Sequence, residues 1–198
     1  MKFPFGCILL FFFIFTSCRP QDHTKAYDDY FTKKGFNGKV YIAKKGEIIY
    51  QKTFGYSDVE KQKTTSTDDT YLIGSITKQF TSFSILMLEE KGLLSTKDSI
   101  GKYYHSLPKL WSDITIYELL THSSGIPDFD DLPNFNIATP YSVDDLVNKI
   151  KGNSLPFFQK GNFRYSSISF VLLGGMIEKV SGVKYCEFLI KIYSILYK

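Results

Sequence analysis

The sequence predicts an α/β protein of the α+β type, in which a short antiparallel β-hairpin near the N-terminus is followed by helices. The hairpin is indicated by two strand-forming stretches, Lys39–Ala43 and Ile48–Phe54, around a turn that carries Gly46. Helices are indicated by apolar residues at helical spacing over residues 22–34, 76–91, 143–150, 168–180 and 185–196. With 198 residues, 43% of them hydrophobic and 22% charged, the chain is long enough for one domain with a sizeable core.

Residues 1–17 are predicted to be a signal peptide. A short basic start, Met1-Lys2, precedes the almost wholly apolar stretch Phe3–Phe15, and small residues follow it. At about 13 residues, this apolar stretch is too short to span a bilayer comfortably. The sequence therefore predicts a protein of the bacterial cell envelope that is secreted across the inner membrane.

Cys18 directly follows Thr16-Ser17, and this pattern resembles a bacterial lipobox. In such a motif the cysteine is lipidated and becomes the mature N-terminus. Phe15 stands where these motifs usually carry leucine, so plain secretion remains the alternative. The sequence therefore predicts a lipid anchor at Cys18, with the membrane as a partner. The anchored protein would face the periplasm or the cell surface.

The remaining cysteine and the histidines indicate neither a disulfide nor a metal site. Apart from Cys7 in the leader and Cys18, the sequence contains only Cys186, which we expect to be a small buried hydrophobe. The three histidines are isolated and no Cys-x-x-Cys pair exists, so no metal is predicted. The net charge of +4 is spread along the chain without a Lys/Arg run, so nucleic acid is not an expected partner.

Ser75 and Lys78 form the candidate catalytic centre. Three residues apart on a helix, they share a face, and a lysine with a lowered pKa can take the proton that keeps a serine hydroxyl a weak nucleophile. The apolar run 71–73 and Gly74 precede them, which is typical of a strand-to-helix junction. The alternative is that Ser75 only caps this helix. Other Ser-x-x-Lys pairs are interpreted as surface positions: Ser99/Lys102, Ser106/Lys109 and Ser181/Lys184.

Four stretches, in this order, resemble the serine β-lactamase and penicillin-binding protein superfamily, in its class C β-lactamase and D-alanyl-D-alanine peptidase branch. They are the strand pair at 38–54, Gly74-Ser75-Ile76-Thr77-Lys78, LLTHSSGIPD at 119–128 and FRYSSISFVLLGGMIEKVSG at 163–182. The last two are long and much more specific than Ser-x-x-Lys alone. The resemblance covers residues 23–198 as one partial domain. It implies a β-lactamase/transpeptidase-like fold, with the N-terminal strands of an antiparallel sheet and a helical subdomain.

The resemblance implies a serine hydrolase or acyltransferase. Ser75 would be acylated by a β-lactam, a D-Ala-D-Ala peptide or an ester, Lys78 would activate it, and Tyr165 would act as general base or acid. A phenol has a pKa near 10 in water, and a lysine ammonium beside it favours the phenolate. The backbone N–H of Ser75 would supply half of an oxyanion hole. His122 is expected to be a hydrogen-bonded scaffold residue.

The partners implied are a small-molecule or peptidoglycan-peptide substrate, and no cofactor or metal is required. Ser167, the predicted substrate-binding residue, departs from the family's motif, which usually has asparagine there. A serine hydroxyl is shorter and donates one hydrogen bond, whereas an amide group both donates and accepts. With serine in place of asparagine at position 167, we expect either weakened activity or a shifted substrate specificity.

A second departure is that no Lys-Thr-Gly or His-x-Gly motif follows Tyr165. In the family this motif lies on a strand that edges the cleft and gives the second oxyanion donor, and further C-terminal strands complete the sheet. Loss of one such donor costs about 3–4 kcal/mol of transition-state stabilisation. We therefore expect a truncated product, a fragment or one half of a split protein. The alternatives to an enzyme are a catalytically inactive remnant and a penicillin-sensing binder that is acylated but never released.

Overall fold

A computed structural model describes residues 23–136, 139, 141–151 and 158–196, and the leader with Cys18 lies outside the described residues. The chain divides into two units, residues 1–72 and 73–198. The first contains α1 (Thr24–Lys33), β1 (Gly38–Lys44), β2 (Glu47–Phe54), β3 (Tyr56–Asp58) and β4 (Lys63–Thr64). The second contains α2 (Thr77–Glu90), α3 (Ile116–Leu120), α4 (Val143–Lys151), α5 (Ser167–Ser181) and α6 (Tyr185–Leu196).

The first unit is built on the predicted hairpin. β1 and β2 pair antiparallel from Gly38 opposite Phe54 to Lys44 opposite Glu47. The two-residue turn between them has positive φ at both Lys45 and Gly46, 53° and 83°, which matches the right-handed twist of the strands. The hairpin prediction is therefore confirmed, with each strand slightly longer than expected.

Helix α1 packs its aromatic residues against β2. The rings of Tyr27 and Tyr50 lie 5.0 Å apart, and those of Phe31 and Phe54 lie 5.5 Å apart. The Tyr50 hydroxyl donates to Asp28 Oδ1 at 2.6 Å, and burial, followed by this contact, raises the pKa of Tyr50 to about 12. The aromatic residues of the predicted first helix therefore serve as packing for the hairpin.

The polar sequence of residues 55–70, rich in Ser, Thr, Asp and Lys, predicts a surface loop, and this prediction is wrong in part. It contains the small antiparallel pair β3–β4, in which Tyr56 lies opposite Thr64. The strands have only three residues and two residues, and their polar sequence lacks the apolar alternation that indicates a strand.

The second unit is organised around α5, which contacts α2, α3, α4 and α6. Its buried apolar side chains are Ile168, Phe170, Leu172, Leu173, Met176 and Ile177. The Ser166 side chain caps its N-terminus by accepting from the Ser169 N–H at 3.1 Å, and Gly182 ends it in the left-handed region at φ 74°. The predicted helix over 168–180 is confirmed, and its central position follows from its almost wholly apolar sequence.

Cys186 is exposed, so the prediction that it is buried is wrong. It lies on α6, which buries Phe188 and Ile192. These two residues are four apart and share a face, whereas a residue two positions from Phe188 points to the opposite side of the helix. Apolar sequence on both sides of Cys186 does not decide which face is buried.

No helix in the described part of the chain combines the length and the apolar character that a membrane crossing requires.

Gly174 and Gly175 give a matched pair of substitutions within α5. A Cβ at Gly175 would clash with the Tyr104 hydroxyl and lie 2.9 Å from Val143 Cγ1, whereas one at Gly174 would meet only Tyr185 at 3.8 Å. The Tyr104 hydroxyl cannot yield freely, because it is buried and donates to the Leu172 carbonyl at 2.6 Å.

We expect Gly175→Ala to lower the free energy of unfolding by about 1–2 kcal/mol, because overpacking outweighs the gain in helix propensity. Gly174→Ala should be neutral or stabilise the protein by up to about 1 kcal/mol. Urea unfolding followed by circular dichroism measures both. Equal stabilities of the two variants would contradict this account of the packing.

Candidate active site

Ser75 lies in a single 3₁₀ turn, Gly74–Ile76, immediately before α2 begins. Gly74 has φ 53°, a conformation that side chains disfavour, and this bend directs the chain into the turn. The predicted strand before Ser75 is wrong: residues 71–73 form no strand, and the Leu72 side chain is fully exposed. An apolar run becomes a strand only where a partner strand accepts its hydrogen bonds.

Four of the side chains that the sequence analysis assigned to catalysis or substrate binding come together here: Ser75, Lys78, Tyr165 and Ser167. Ser75 Oγ lies 2.7 Å from the Tyr165 hydroxyl, and Lys78 Nζ donates to Ser75 Oγ at 3.1 Å. Lys78 Nζ also donates to Ser167 Oγ at 3.4 Å. Since Ser75 is hydrogen-bonded both to Lys78, three residues away, and to Tyr165, ninety residues away, the geometry favours a reactive centre over a helix cap.

The Lys78 ammonium also lies over two aromatic rings. Its Nζ is 4.8 Å from the centroid of Tyr165 and 5.6 Å from that of Phe170. The negative faces of these rings attract the cation. The amine is therefore held between two hydroxyls and two rings.

Tyr165 and Ser167 are positioned by a loop that lies far away in the sequence. The Arg164 N–H donates to the His122 carbonyl at 2.7 Å, and the Ser166 N–H donates to His122 Nδ1 at 3.1 Å. The Ser167 N–H donates to Asp128 Oδ1 at 2.8 Å. The start of α5 and the residues before it are thus tied to His122 and Asp128 by three backbone N–H groups.

Asp128 is a site residue that the sequence reasoning left without a role. Its carboxylate caps the 3₁₀ turn Phe129–Asp131 and also accepts from Ser167, while Asp131 pairs with Arg164 at 3.1 Å. Acidic residues three apart, with the first before a turn, form a capping pattern that was available in the sequence. The second contact, to Ser167, was not visible there because it crosses between distant segments.

The electrostatics of the site favour a phenolate at Tyr165 and a neutral imidazole at His122. The pKa of Tyr165 is lowered from 10, first by the Lys78 side chain and next by the hydrogen bond with Ser75. The pKa of His122 is lowered from 6.5, first by burial and next by Lys78, although Asp128 acts in the opposite direction. Both shifts are in the direction that favours the deprotonated side chain, which is the form that can accept a proton.

A cavity of about 480 Å³ opens beside Ser75 and Lys78 between α2 and α5. Its lining includes polar side chains, among them Ser167 and Glu178, but apolar atoms form most of the wall. The lining includes Thr81, Phe129, Val143, Phe170, Val171 and Tyr185. Among the described residues no cluster of His, Cys, Asp and Glu side chains has the arrangement of a metal site.

Comparison with known proteins shows a family match and a related protein of known name. The sequence pattern of the Beta-lactamase family matches residues 26–191. Penicillin-binding protein 4* of Bacillus subtilis (strain 168) is 33% identical over 162 residues, which cover 79% of this chain and 35% of that protein.

Two solved structures resemble this chain. FmtA from Staphylococcus aureus has a TM-score of 0.71 at 26% identity and covers 84% of this chain and 46% of its own. A class C β-lactamase from Rhodobacter sphaeroides has a TM-score of 0.67 at 25% identity and covers 87% of this chain and 48% of its own.

The chain belongs to the Beta-lactamase family. Its fold is that of the β-lactamases and penicillin-binding proteins, as the sequence predicted. The chain spans about a third of the length of the curated relative named above and about half of each solved structure.

The lowered pKa of Tyr165 can be tested without any substrate. Replacing Lys78 by methionine removes the group that contributes most to the shift, so the Tyr165 pKa should rise toward 10. Titration of ¹³C-labelled tyrosine followed by NMR measures this pKa, with Tyr165→Phe assigning the signal.

Lys102→Met is the matched control. Lys102 lies 5.4 Å from the ring centroid of Tyr103, so this variant removes a similar lysine–tyrosine contact and should leave Tyr165 unchanged. If the pKa of Tyr165 is the same in wild type and in Lys78→Met, Lys78 is not the cause of the lowered pKa.

Proposed function

We propose that Ser75 forms an acyl-enzyme and that the protein is a serine hydrolase or acyltransferase. The observation that supports this is the Ser75 Oγ atom, which lies within hydrogen-bond distance of both Lys78 Nζ and the Tyr165 hydroxyl. Nucleophile and base in direct contact are the arrangement that activated-serine chemistry needs.

The reaction begins with a proton transfer. Tyr165, whose phenolate is favoured by Lys78, takes the proton of Ser75 as Oγ attacks the carbonyl carbon of the substrate. The C–N or C–O bond to the leaving group then breaks, and Tyr165 returns the proton to that group. In the second half of the reaction, Tyr165 takes a proton from water or another acceptor, which attacks the acyl carbon. The bond from that carbon to Ser75 Oγ then breaks, and Tyr165 returns the proton to Ser75. The Ser75 N–H would donate to the oxyanion.

Ser167 keeps Lys78 directed toward the reacting atoms. Its hydroxyl accepts from Lys78 Nζ, and its own position is set by the bond from its N–H to Asp128. In this proposal Ser167 does part of the work of the family's asparagine, and it also contacts the substrate amide. No metal or cofactor takes part in any step.

The proposed substrates are β-lactams, D-Ala-terminated peptides and small esters. The relative at 33% identity is called a penicillin-binding protein, and the cavity beside Ser75 has room and apolar wall for an acyl side chain. A nucleic acid is not a proposed partner, because the net charge of +4 is spread along the chain without a Lys/Arg run.

The test is a covalent adduct at Ser75. The intact mass of the chain from Arg19 onward is measured before and after incubation with a fluorescent penicillin or a fluorophosphonate. Wild type should gain the mass of one acyl group, and Ser75→Ala should gain none. Ser106→Ala, in an exposed Ser-x-x-Lys pair, should react like wild type.

Two other outcomes identify the alternatives. A stable adduct that never releases product would favour a penicillin-sensing binder. No adduct on protein shown by circular dichroism to be folded would favour a catalytically inactive remnant.

We also propose that the mature protein is anchored in the bacterial cell envelope through a lipid on Cys18. The basic start, the apolar stretch and the small residues before this cysteine support the proposal. The nucleophile would then face the compartment in which peptidoglycan peptides occur.

Metabolic labelling with an alkyne-bearing fatty acid in a bacterial host tests the anchor. Wild type should be labelled and should sediment with membranes, whereas Cys18→Ala should lose both properties. Cys7→Ala, which changes a cysteine within the leader, should behave like wild type. Label retained in Cys18→Ala would rule out this anchor.

A further inference from the structure

His122 makes three contacts with Tyr165 and the residues on either side of it. The His122 carbonyl accepts from the N–H of Arg164, and His122 Nδ1 accepts from the N–H of Ser166. The His122 ring is stacked on the Tyr165 ring, with centroids 4.5 Å apart and planes 28° apart. His122 therefore holds the residue before Tyr165, the residue after it, and the ring itself.

We propose that His122 is a positioning residue for Tyr165, which it clamps so that the phenol oxygen stays at Ser75. This inference rests on the proposed function, in which Tyr165 moves the proton.

Tyr165 needs such support because its own burial is incomplete. Its side chain is 41% exposed, and it precedes α5, so neither helix hydrogen bonds nor a core position orients it. The phenol oxygen must nevertheless remain 2.7 Å from Ser75 Oγ. A misplacement of about 1 Å at a reacting group can lower a rate about 100-fold.

The clamp requires one protonation state of His122. Because Nδ1 accepts from the Ser166 N–H, it cannot itself carry a proton, so the imidazole is neutral with its proton on Nε2. If Nδ1 were protonated, it and the Ser166 N–H would both be donors, and the hydrogen bond between them would be lost.

The surroundings of the imidazole favour this neutral state. The charged groups that act on it are Lys78 of α2, which opposes protonation, and Asp128 of its own loop, which favours it. Besides the Tyr165 phenol, its other ring neighbours are the uncharged Phe163 and Phe170.

The backbone at His122 also limits what can replace it. Its φ of 55° lies in the left-handed region, where asparagine is tolerated far better than most residues. Asparagine also carries a carbonyl oxygen near the position of Nδ1, so it can accept from Ser166. His122→Asn thus keeps the hydrogen bond and the backbone while removing the stacked ring and the titratable group. His122→Ala removes the hydrogen bond from Ser166, the stacked ring and the titratable group.

A double-mutant cycle separates positioning from a general effect on folding. The rate of Ser75 acylation by the fluorescent penicillin is measured for His122→Ala and His122→Asn, with and without Tyr165→Phe. We expect His122→Ala to lower the rate about 100-fold, and His122→Asn to lie within about tenfold of wild type. In the Tyr165→Phe background, His122→Ala should change the rate by less than about twofold, because the group it positions is gone.

Equal losses in both backgrounds would overturn the proposal, since they would show that His122 acts through the fold alone. A rate unchanged by His122→Ala in folded protein would also overturn it. If wild type forms no adduct, the proposed function fails, and a second measurement then decides the inference by itself.

That measurement is ¹⁵N NMR of the imidazoles. The chain has only three histidines, so His122→Asn assigns the His122 signal directly. We expect the proton on Nε2, and we expect titration of His122 to move the Ser166 amide and the Tyr165 ring signals with the same midpoint. A proton on Nδ1 at pH 7, or a Tyr165 signal that ignores the titration, would overturn the clamp whatever the result with penicillin.

Discussion

The candidate site depends on where the Lys78 amine is held. Lys78 Nζ lies between the hydroxyls of Ser75 and Ser167 and over the rings of Tyr165 and Phe170. Oxygen lone pairs and ring faces stabilise the cation, while the cation in turn favours the phenolate of Tyr165. The charge of one lysine therefore links Ser75 to Tyr165, and the other elements of the site serve to bring these groups around it.

Two kinds of structure accomplish this placement. Ser75 and Lys78 are close in sequence, so the turn at Gly74 and the start of α2 suffice to set their spacing. Tyr165 and Ser167 come from a segment ninety residues later, and the backbone N–H groups of that segment donate to the side chains of His122 and Asp128. A loop without regular structure can hold a reactive group in this way when its polar backbone groups find fixed partners.

Local patterns predicted what local interactions govern. The hairpin followed from a two-residue glycine turn between strand-forming stretches, and α5 followed from a long apolar segment with Ser166 before it and Gly182 after it. Two of the predictions that were wrong concern contacts between segments distant in the sequence. Residues 71–73 have a strand-like sequence without a partner strand, and the exposure of Cys186 depends on which face of α6 meets the core.

By itself the sequence determined the family, the mixed α and β elements, and the identity of Ser75, Lys78, Tyr165 and Ser167 as the candidate site. The motifs identify the family and these residues because each motif is a short stretch whose residue types and order can be recognised without the fold. Only the tertiary structure decided that Asp128 supports Ser167 and that His122 accepts from Ser166 while it stacks on Tyr165. Hydrogen bonds and ring contacts between segments about forty residues apart leave no periodicity in the chain, because their geometry exists only after α5 has packed.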